Sequence, residues 1–293
     1  MAVVTLGAHA VVVLADADAG RIGVAPAGCA AGTAVALARL GHDVVSVGAV
    51  GDDDLGDLLT RVLAREGVDT GGLVRRAGER TGAAVRPLPA GRGGALRAAG
   101  ANPTLTPGAV DPGLLAAADA VHLGGPDLTP GLADPAFFAA LAAARAAGTV
   151  VTADFDAADP EPLRAAAPFL RHCDYVLPDE EQALALTGAA DPVTAARRLL
   201  AEGPRAVIVT LGEHGALLAS AAGVERLPAP EVADADPTGC GDAFAAGFLT
   251  ALLRGLDASA AARWGGAAAA TVAAGSGPAA GLAGPASLAP LLP

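Results

Sequence analysis

Short apolar runs alternate with amphipathic stretches along most of the chain. Buried strands are predicted at six apolar runs, 2–7, 43–48, 120–123, 149–154, 174–177 and 206–211. Helical periodicity, with glycines as stop signals, predicts helices at 30–40, 54–66, 135–147, 160–170, 179–186 and 191–202. This alternation predicts an α/β fold in which helices cover both faces of a mostly parallel sheet.

Two segments interrupt the alternation with glycine, proline and short β-like runs. They span approximately 8–27 and 73–105, and they predict a small, short β-lid over the main sheet. The chain shows neither an internal repeat nor a flexible interdomain linker. Because 293 residues suffice for one large core, we expect residues 1–293 to form a single domain.

Composition and charge narrow the range of partners. The formal net charge is −12, and the basic footprint of a nucleic-acid-binding protein is missing from the sequence. No apolar run reaches the roughly 18 residues that cross a bilayer, so we expect no membrane partner. The cysteines, Cys29, Cys173 and Cys240, match no zinc-site spacing, and a reducing cytoplasm is the expected setting.

The sequence contains no lysine, and all 19 basic residues are arginines. A Walker A loop, a Schiff-base lysine and the β3 lysine of protein kinases are therefore excluded. Any phosphate chemistry must depend on backbone N–H groups, arginine or metal. In the predicted lid, Arg80, Arg86 or Arg92 could hold a phosphate, although solvated side chains are the alternative.

The stretch DPTGCGD, residues 236–242, leads into an apolar periodic segment that predicts a helix from about Gly239 to Arg254. The first N–H groups of a helix lack internal partners and attract anions, and glycine leaves them accessible. Beside them, Asp242 could accept a proton from a substrate hydroxyl during phosphoryl transfer. On these residues alone, an ordinary capped helix with an aspartate in its first turn is an equal alternative.

Further motifs accompany this turn in a fixed order. They are PAGCAAGTAVALARLG (26–41), VGAVGDDDLGDLLTRVLAREGVDT (47–70), LPDEEQALALTG (177–188) and VIVTLGEHGALL (207–218). Together with DPTGCGDAF, they resemble the ribokinase-like carbohydrate kinases, often called the PfkB family, over nearly the whole chain. The resemblance implies a three-layer ribokinase-like fold, ATP and Mg²⁺ as cofactors, K⁺ as a further cation, and a homodimer formed through the lids.

The resemblance also implies roles for individual residues. Asp242 would be the catalytic base, and the backbone of Gly239, Cys240 and Gly241 would form the anion hole. Asp236 would help to hold the monovalent cation. The nucleotide would lie against Thr210, Gly212, Gly215 and the last helices around Ala267 to Gly275.

The sequence departs from the family pattern where the acceptor would bind. Val12 stands where the family has a sugar-binding aspartate, and Gly32 stands where it has an asparagine. Asp16 could replace the lost aspartate, or it could be a surface turn residue. Gly28 belongs to the segment that carries the family's Gly-Gly pair, and His9 ends a strand near the sugar side, where a packed histidine is the alternative.

The metal motif and one strand end also bear on the site. The family's N-x-x-E motif reads Asp179-Glu180-Glu181-Gln182, so magnesium could bind through Asp179 or Glu181. Asp154 ends a predicted strand and could face the phosphate side of the cleft.

These observations favour an ATP-dependent kinase that phosphorylates a hydroxyl of a sugar or sugar-like small molecule, with an acceptor that is not a standard pentose or hexose or is bound differently. A nucleoside is an alternative acceptor. A second alternative is a degenerate family member that binds a sugar or nucleotide as a sensor without turnover. A Rossmann oxidoreductase is disfavoured because no G-x-G-x-x-G follows the first strand.

Overall fold

The structure is a computed structural model of the 293-residue chain. It describes residues 1–16, 20–88, 96–157, 159–233, 235–275 and 277–292. Among the described residues, every helix is too short or too polar to span a bilayer.

Strands of two sheets follow in chain order. They are β1 (Ala2–Gly7), β2 (Ala10–Asp16), β3 (Arg21–Ala27), β4 (Asp43–Gly51), β5 (Val68–Arg76), β6 (Gly82–Leu88), β7 (Leu96–Ala98), β8 (Ala120–Gly124), β9 (Val150–Asp154), β10 (Tyr175–Val176), β11 (Ala206–Thr210), β12 (Ala216–Ser220) and β13 (Gly223–Leu227).

The α-helices cover the larger of these sheets. They are α1 (Cys29–Arg39), α2 (Asp54–Arg65), α3 (Pro112–Ala117), α4 (Pro135–Ala146), α5 (Pro160–Ala165), α6 (Glu180–Thr187), α7 (Pro192–Ala201), α8 (Cys240–Leu253) and α9 (Ala258–Ala273). The predicted helix 160–170 is only partly confirmed: after α5 the chain forms a 3₁₀ turn, Ala167–His172, because Pro168 cannot continue the α-helical hydrogen bonds.

The central sheet of the described residues has nine strands in the order β13-β12-β11-β10-β9-β8-β1-β4-β5. Strands from β11 to β5 pair in parallel, and β12 and β13 add an antiparallel edge. Neighbouring residues of β1 point to opposite faces, because Val4 joins one apolar core and Val3 joins the other. Helices α3 to α7 contribute to the first core, whereas α1, α2, α8 and α9 contribute to the second, which confirms the three-layer α/β fold.

In the part of the chain that the structure describes, a separate sheet of four strands, in the order β3-β2-β6-β7, forms the lid. Its two segments lie within the predicted ranges 8–27 and 73–105, except that residues 73–76 belong to β5 at the edge of the central sheet. These residues continue the parallel pairing of β5 with β4, beyond a shift of register between Val45 and Val47. The glycine-rich sequence does not indicate this strand. Strands β2 and β6 both leave the carboxyl side of the central sheet, which is where ligands bind in open α/β sheets.

Candidate active site

A cavity of about 950 Å³ lies between the lid and the carboxyl ends of the central strands. Its lining includes the predicted site residues Gly28, Asp179, Glu181, Gly239, Gly241 and Asp242. A smaller cavity of about 90 Å³ adjoins it and brings Thr210 next to Asp179, Gly241 and Asp242. Residues from distant parts of the sequence therefore share one cleft.

The DPTGCGD turn opens helix α8 as predicted. Gly239 is the N-cap and has a φ of 82°, a left-handed conformation that side chains disfavour. Among the described residues, no carbonyl accepts a hydrogen bond from the N–H groups of Gly241 or Asp242. These two groups can therefore receive an anion in the cleft.

The backbone N–H of Cys240 differs from those of Gly241 and Asp242, because it already has a partner within the turn. Its N–H donates to the Pro237 carbonyl at 3.2 Å, so it is not available to a ligand. Its thiol points inward, 3.5 Å from the Ala269 carbonyl, and burial raises its pKa to about 11. The side chain therefore packs as a small neutral group.

Asp242 lies directly against helix α1. A Cβ atom at Gly32 would come within 2.0 Å of the Asp242 Oδ2 atom, so the carboxylate occupies the space of the missing side chain. Gly32 is itself buried in α1. Its place in the structure is therefore beneath the carboxylate of Asp242, rather than at the wall of the cavity.

Two further groups approach the same carboxylate. The Cys29 thiol, an Asp154 oxygen and an Asp242 oxygen all lie within 4.8 Å of one another. Burial, followed by the charges of Asp154 and Asp156, raises the pKa of Asp242 well above the usual range of an aspartate. Burial and the same carboxylates raise the pKa of Cys29, so its thiol stays neutral.

Asp154 ends β9, as the sequence suggested, and is only 6% exposed. Its Oδ1 atom lies 3.3 Å from Nε2 of His122, in a geometry that gives neither atom a hydrogen bond among the described residues. The other ring nitrogen of His122 is within 2.9 Å of Thr152 Oγ1. A buried carboxylate oxygen without a partner is suited to a cation.

The loop after β9 is held by a second carboxylate that the sequence analysis missed. Asp127 accepts hydrogen bonds from the backbone N–H groups of Asp156 and Ala157, at 3.2 and 2.6 Å. Burial raises the pKa of Asp127 to about 6. Asp156 in turn forms an ion pair with Arg97 of the lid, so this loop ties the lid to the sheet edge.

Asp179 and Gln182 form a capping box at the start of α6. Asp179 accepts from the Gln182 N–H at 2.8 Å, and Gln182 Oε1 accepts from the Asp179 N–H at 2.9 Å. Gln182 also donates to the Phe155 carbonyl at 2.9 Å. The glutamine thus has a structural role, and the Asp179 and Glu181 carboxylates remain at the cavity lining.

The predicted nucleotide residues are only partly brought together. Thr210 lines the smaller cavity, and Gly212 and Gly215 bound the 3₁₀ turn that follows β11. Asp236 accepts from the Thr238 N–H at 3.0 Å and thereby supports the DPTGCGD turn.

Two of the predicted adenine neighbours do not face open space. Ala267 is fully buried in the core of α9, so its side chain cannot line a pocket. At Gly275, a Cβ atom would lie 2.5 Å from the Cβ of Ala280. Ala280 therefore covers the side of Gly275 on which a side chain would project. An alanine-rich helix carries no polar pattern that would have indicated which face is buried.

His9 was predicted near the acceptor, but the structure buries it completely. Its ring nitrogens lie 2.9 Å from the Gly7 carbonyl and 2.7 Å from Ser46 Oγ, and burial lowers its pKa to about 4. The packed alternative is therefore the one that the structure supports. The side chain of Asp16 lies outside the described part of the chain.

Known proteins resemble this one in sequence. The sequence pattern of the pfkB family of carbohydrate kinases matches residues 5–283. The chain belongs to the pfkB family of carbohydrate kinases. A fructokinase from Klebsiella pneumoniae is 32% identical over 258 residues, which cover 84% of this chain and 83% of that protein.

Solved structures of other kinases agree with the pfkB assignment. An E. coli protein provisionally named ribokinase II, in complex with ATP and Mg²⁺, has a TM-score of 0.84 and 27% identity, with 99% of this chain and 98% of that chain covered. Aminoimidazole riboside kinase from Salmonella enterica, complexed with aminoimidazole riboside and an ATP analogue, has a TM-score of 0.81 and 25% identity, with both chains fully covered. The protein is therefore a carbohydrate or nucleoside kinase.

The position of Gly32 in this pfkB kinase gives a direct test of the site geometry. We expect Gly32→Ala to displace the Asp242 carboxylate and lower kcat about 100-fold, because displacements of about 1 Å are that costly to catalysis. The KM for nucleotide should change little. Gly108→Ala is the matched control, since a Cβ there meets no atom within 4 Å. Unchanged kcat in Gly32→Ala would contradict the packing described here.

Proposed function

We propose that this kinase transfers the γ-phosphate of ATP to a hydroxyl group of a small sugar-like or nucleoside acceptor, with Asp242 as the general base. One observation carries the proposal: the Asp242 carboxylate lies at the open N-terminus of α8 and inside the cavity under the lid. A proton acceptor and an anion-binding turn thus lie side by side.

The residues of the site have three roles in the proposed reaction. Asp242 accepts the proton of the acceptor hydroxyl as its oxygen attacks the γ-phosphorus, and the bond to the leaving ADP oxygen breaks. The N–H groups of Gly241 and Asp242 bind the negative charge of the transferred group. The lid excludes water from the cleft, which strengthens these electrostatic interactions.

The carboxylates at the cleft fit a magnesium–nucleotide complex. Asp154 offers a buried oxygen that has no hydrogen-bond partner among the described residues, and it lines the smaller cavity together with Asp179. Asp179 and Glu181 line the larger cavity. Carboxylate oxygens are the ligands that Mg²⁺ prefers. When bound, the ion neutralises phosphate charge, and the related E. coli protein was solved with ATP and Mg²⁺. Asp236 is the proposed contact for K⁺.

Replacement of Asp242, the proposed base, should lower turnover without weakening nucleotide binding. We expect Asp242→Asn to lower kcat about 1,000-fold, because a positioned general base contributes roughly 10²–10⁴-fold to the rate. Nucleotide affinity should stay near that of the wild type, which calorimetric titration with ATP would measure. The activity is followed as acceptor-dependent ADP release. Full activity in the variant would exclude Asp242 as the base.

The raised pKa of Asp242 predicts the pH dependence. Only the ionised carboxylate accepts a proton, so kcat/KM should rise with pH through a pKa above the usual range of an aspartate. Asp154→Asn removes a negative charge that raises this pKa, so the acidic limb should move to lower pH.

Stability should respond to the same ionisation. The folded protein binds the Asp242 proton more tightly than the unfolded chain, so stability falls as pH rises through the folded-state pKa. At higher pH, Asp242→Asn should therefore melt at a higher temperature than the wild type. A rate profile with an acidic limb at an ordinary aspartate pKa would contradict both expectations.

We further propose a homodimer that forms through the outer face of the lid. Ile22, Val24, Val85 and Leu96 are between 44% and 78% exposed there, an apolar surface that a partner lid would cover. In light scattering, Leu96→Glu should give monomers, whereas Leu256→Glu, at a position exposed on the central domain, should leave dimers. A monomeric wild-type protein would exclude this arrangement.

A further inference from the structure

The acceptor end of the cavity, under the lid, has mostly small apolar walls. The lining residues there include Ala8, Ala10, Val12, Ala83 and Ala84. Asn102 lines the same end, but its amide is fully engaged with the backbone of His9 and Ala99. A neutral polyol would find few side chains here to hydrogen-bond its hydroxyl groups, which is costly for buried polar groups.

Among the side chains of this lid surface that the structure describes, the charged ones are those of Arg86 on β6 and Arg97 on β7, and both line the cavity. The strand register places Val12, Ala84 and Arg97 in one row across the lid. Arg86 follows Ala84 by two residues, so it projects from the same face. The opposite face carries the exposed pair Val85 and Leu96.

The two arginines differ in their partners. Arg97 forms an ion pair with Asp156 and also donates to its carbonyl at 3.0 Å. Among the described residues, no carboxylate and no hydrogen-bond acceptor pairs with Arg86, although this side chain is only partly exposed. The positive charges of both arginines lower the pKa of Asp242, so their field extends across the cavity to the base.

We propose that the acceptor carries an anionic group, a carboxylate or a phosphate monoester, which Arg86 binds from the lid, with Arg97 beside it, while the acceptor's hydroxyl faces Asp242. The proposal rests on the proposed kinase function and specifies its substrate class. A guanidinium binds such oxyanions through two parallel hydrogen bonds. Val12 then removes the negative charge that an aspartate at this position would direct against the anionic group.

An alternative role for Arg86 is contact with the transferred γ-phosphate. The two roles differ in what the loss of Arg86 changes. A contact with the acceptor affects acceptor binding, whereas a contact with the phosphate of ATP affects nucleotide KM and turnover of every acceptor alike.

The test compares matched neutral and anionic acceptors with the full-length enzyme. The pairs are ribose with ribonate, glucose with gluconate, and fructose with fructose 6-phosphate. The first two pairs test a carboxylate, and the third tests a phosphate monoester. We expect an anionic member to have the higher kcat/KM. In Arg86→Ala and Arg86→Gln, that value should fall at least about tenfold, with the KM for ATP nearly unchanged.

Controls separate this inference from the proposed function. Arg197→Ala, which removes an exposed arginine from α7, should leave kcat/KM unchanged. Turnover of neutral acceptors alone, abolished in Asp242→Asn, would overturn the anionic-acceptor inference and keep the kinase. If no acceptor is phosphorylated, calorimetric binding of the same anions decides: Arg86-dependent binding supports the inference, and no binding, or equal binding in Arg86→Ala, overturns it.

Discussion

The close approach of helices α1 and α8 at Gly32 and Asp242 is the constraint on which the rest of the site depends. A carboxylate that lies against a helix backbone, with a thiol and a second carboxylate within 4.8 Å, is poorly hydrated. Burial in such surroundings raises its pKa and makes it a better proton acceptor than a solvated aspartate. A side chain at position 32 would displace the Asp242 carboxylate, so the departure from the family pattern at Gly32 is part of how the proposed base is positioned.

The charges of the cleft are divided along its length. Carboxylates of Asp154, Asp179 and Glu181 lie toward the sheet, where they suit a cation and its phosphates. Arginines lie in the lid above small apolar walls. Asp127 and Asp156 connect the two ends, because Asp127 fixes the backbone of the loop whose Asp156 pairs with Arg97. Binding of an acceptor under the lid can therefore affect the loop that follows β9.

The sequence predicted the architecture and the DPTGCGD turn at the start of α8, because both have signals in the local sequence. Alternating strand and helix patterns identified the three-layer fold, and the glycines before Asp242 identified the helix N-terminus. Cys29, Asp127 and Asp156 carry no such signal, since they meet only when β8, β9 and α1 converge at the edge of the sheet. The partner of His9 has no local signal either, because it is Ser46 of a neighbouring strand. The sequence likewise does not indicate that the Pro237 carbonyl accepts a hydrogen bond from the Cys240 N–H.

A crystal structure of the wild-type enzyme with a non-hydrolysable ATP analogue and its acceptor would test the account most directly. We expect the acceptor hydroxyl to lie about 3 Å from the Asp242 carboxylate, in line with the γ-phosphorus, with the γ-phosphate oxygens at the N–H groups of Gly241 and Asp242. A complex in which the hydroxyl meets a different base, or in which the γ-phosphate lies away from the start of α8, would contradict the account.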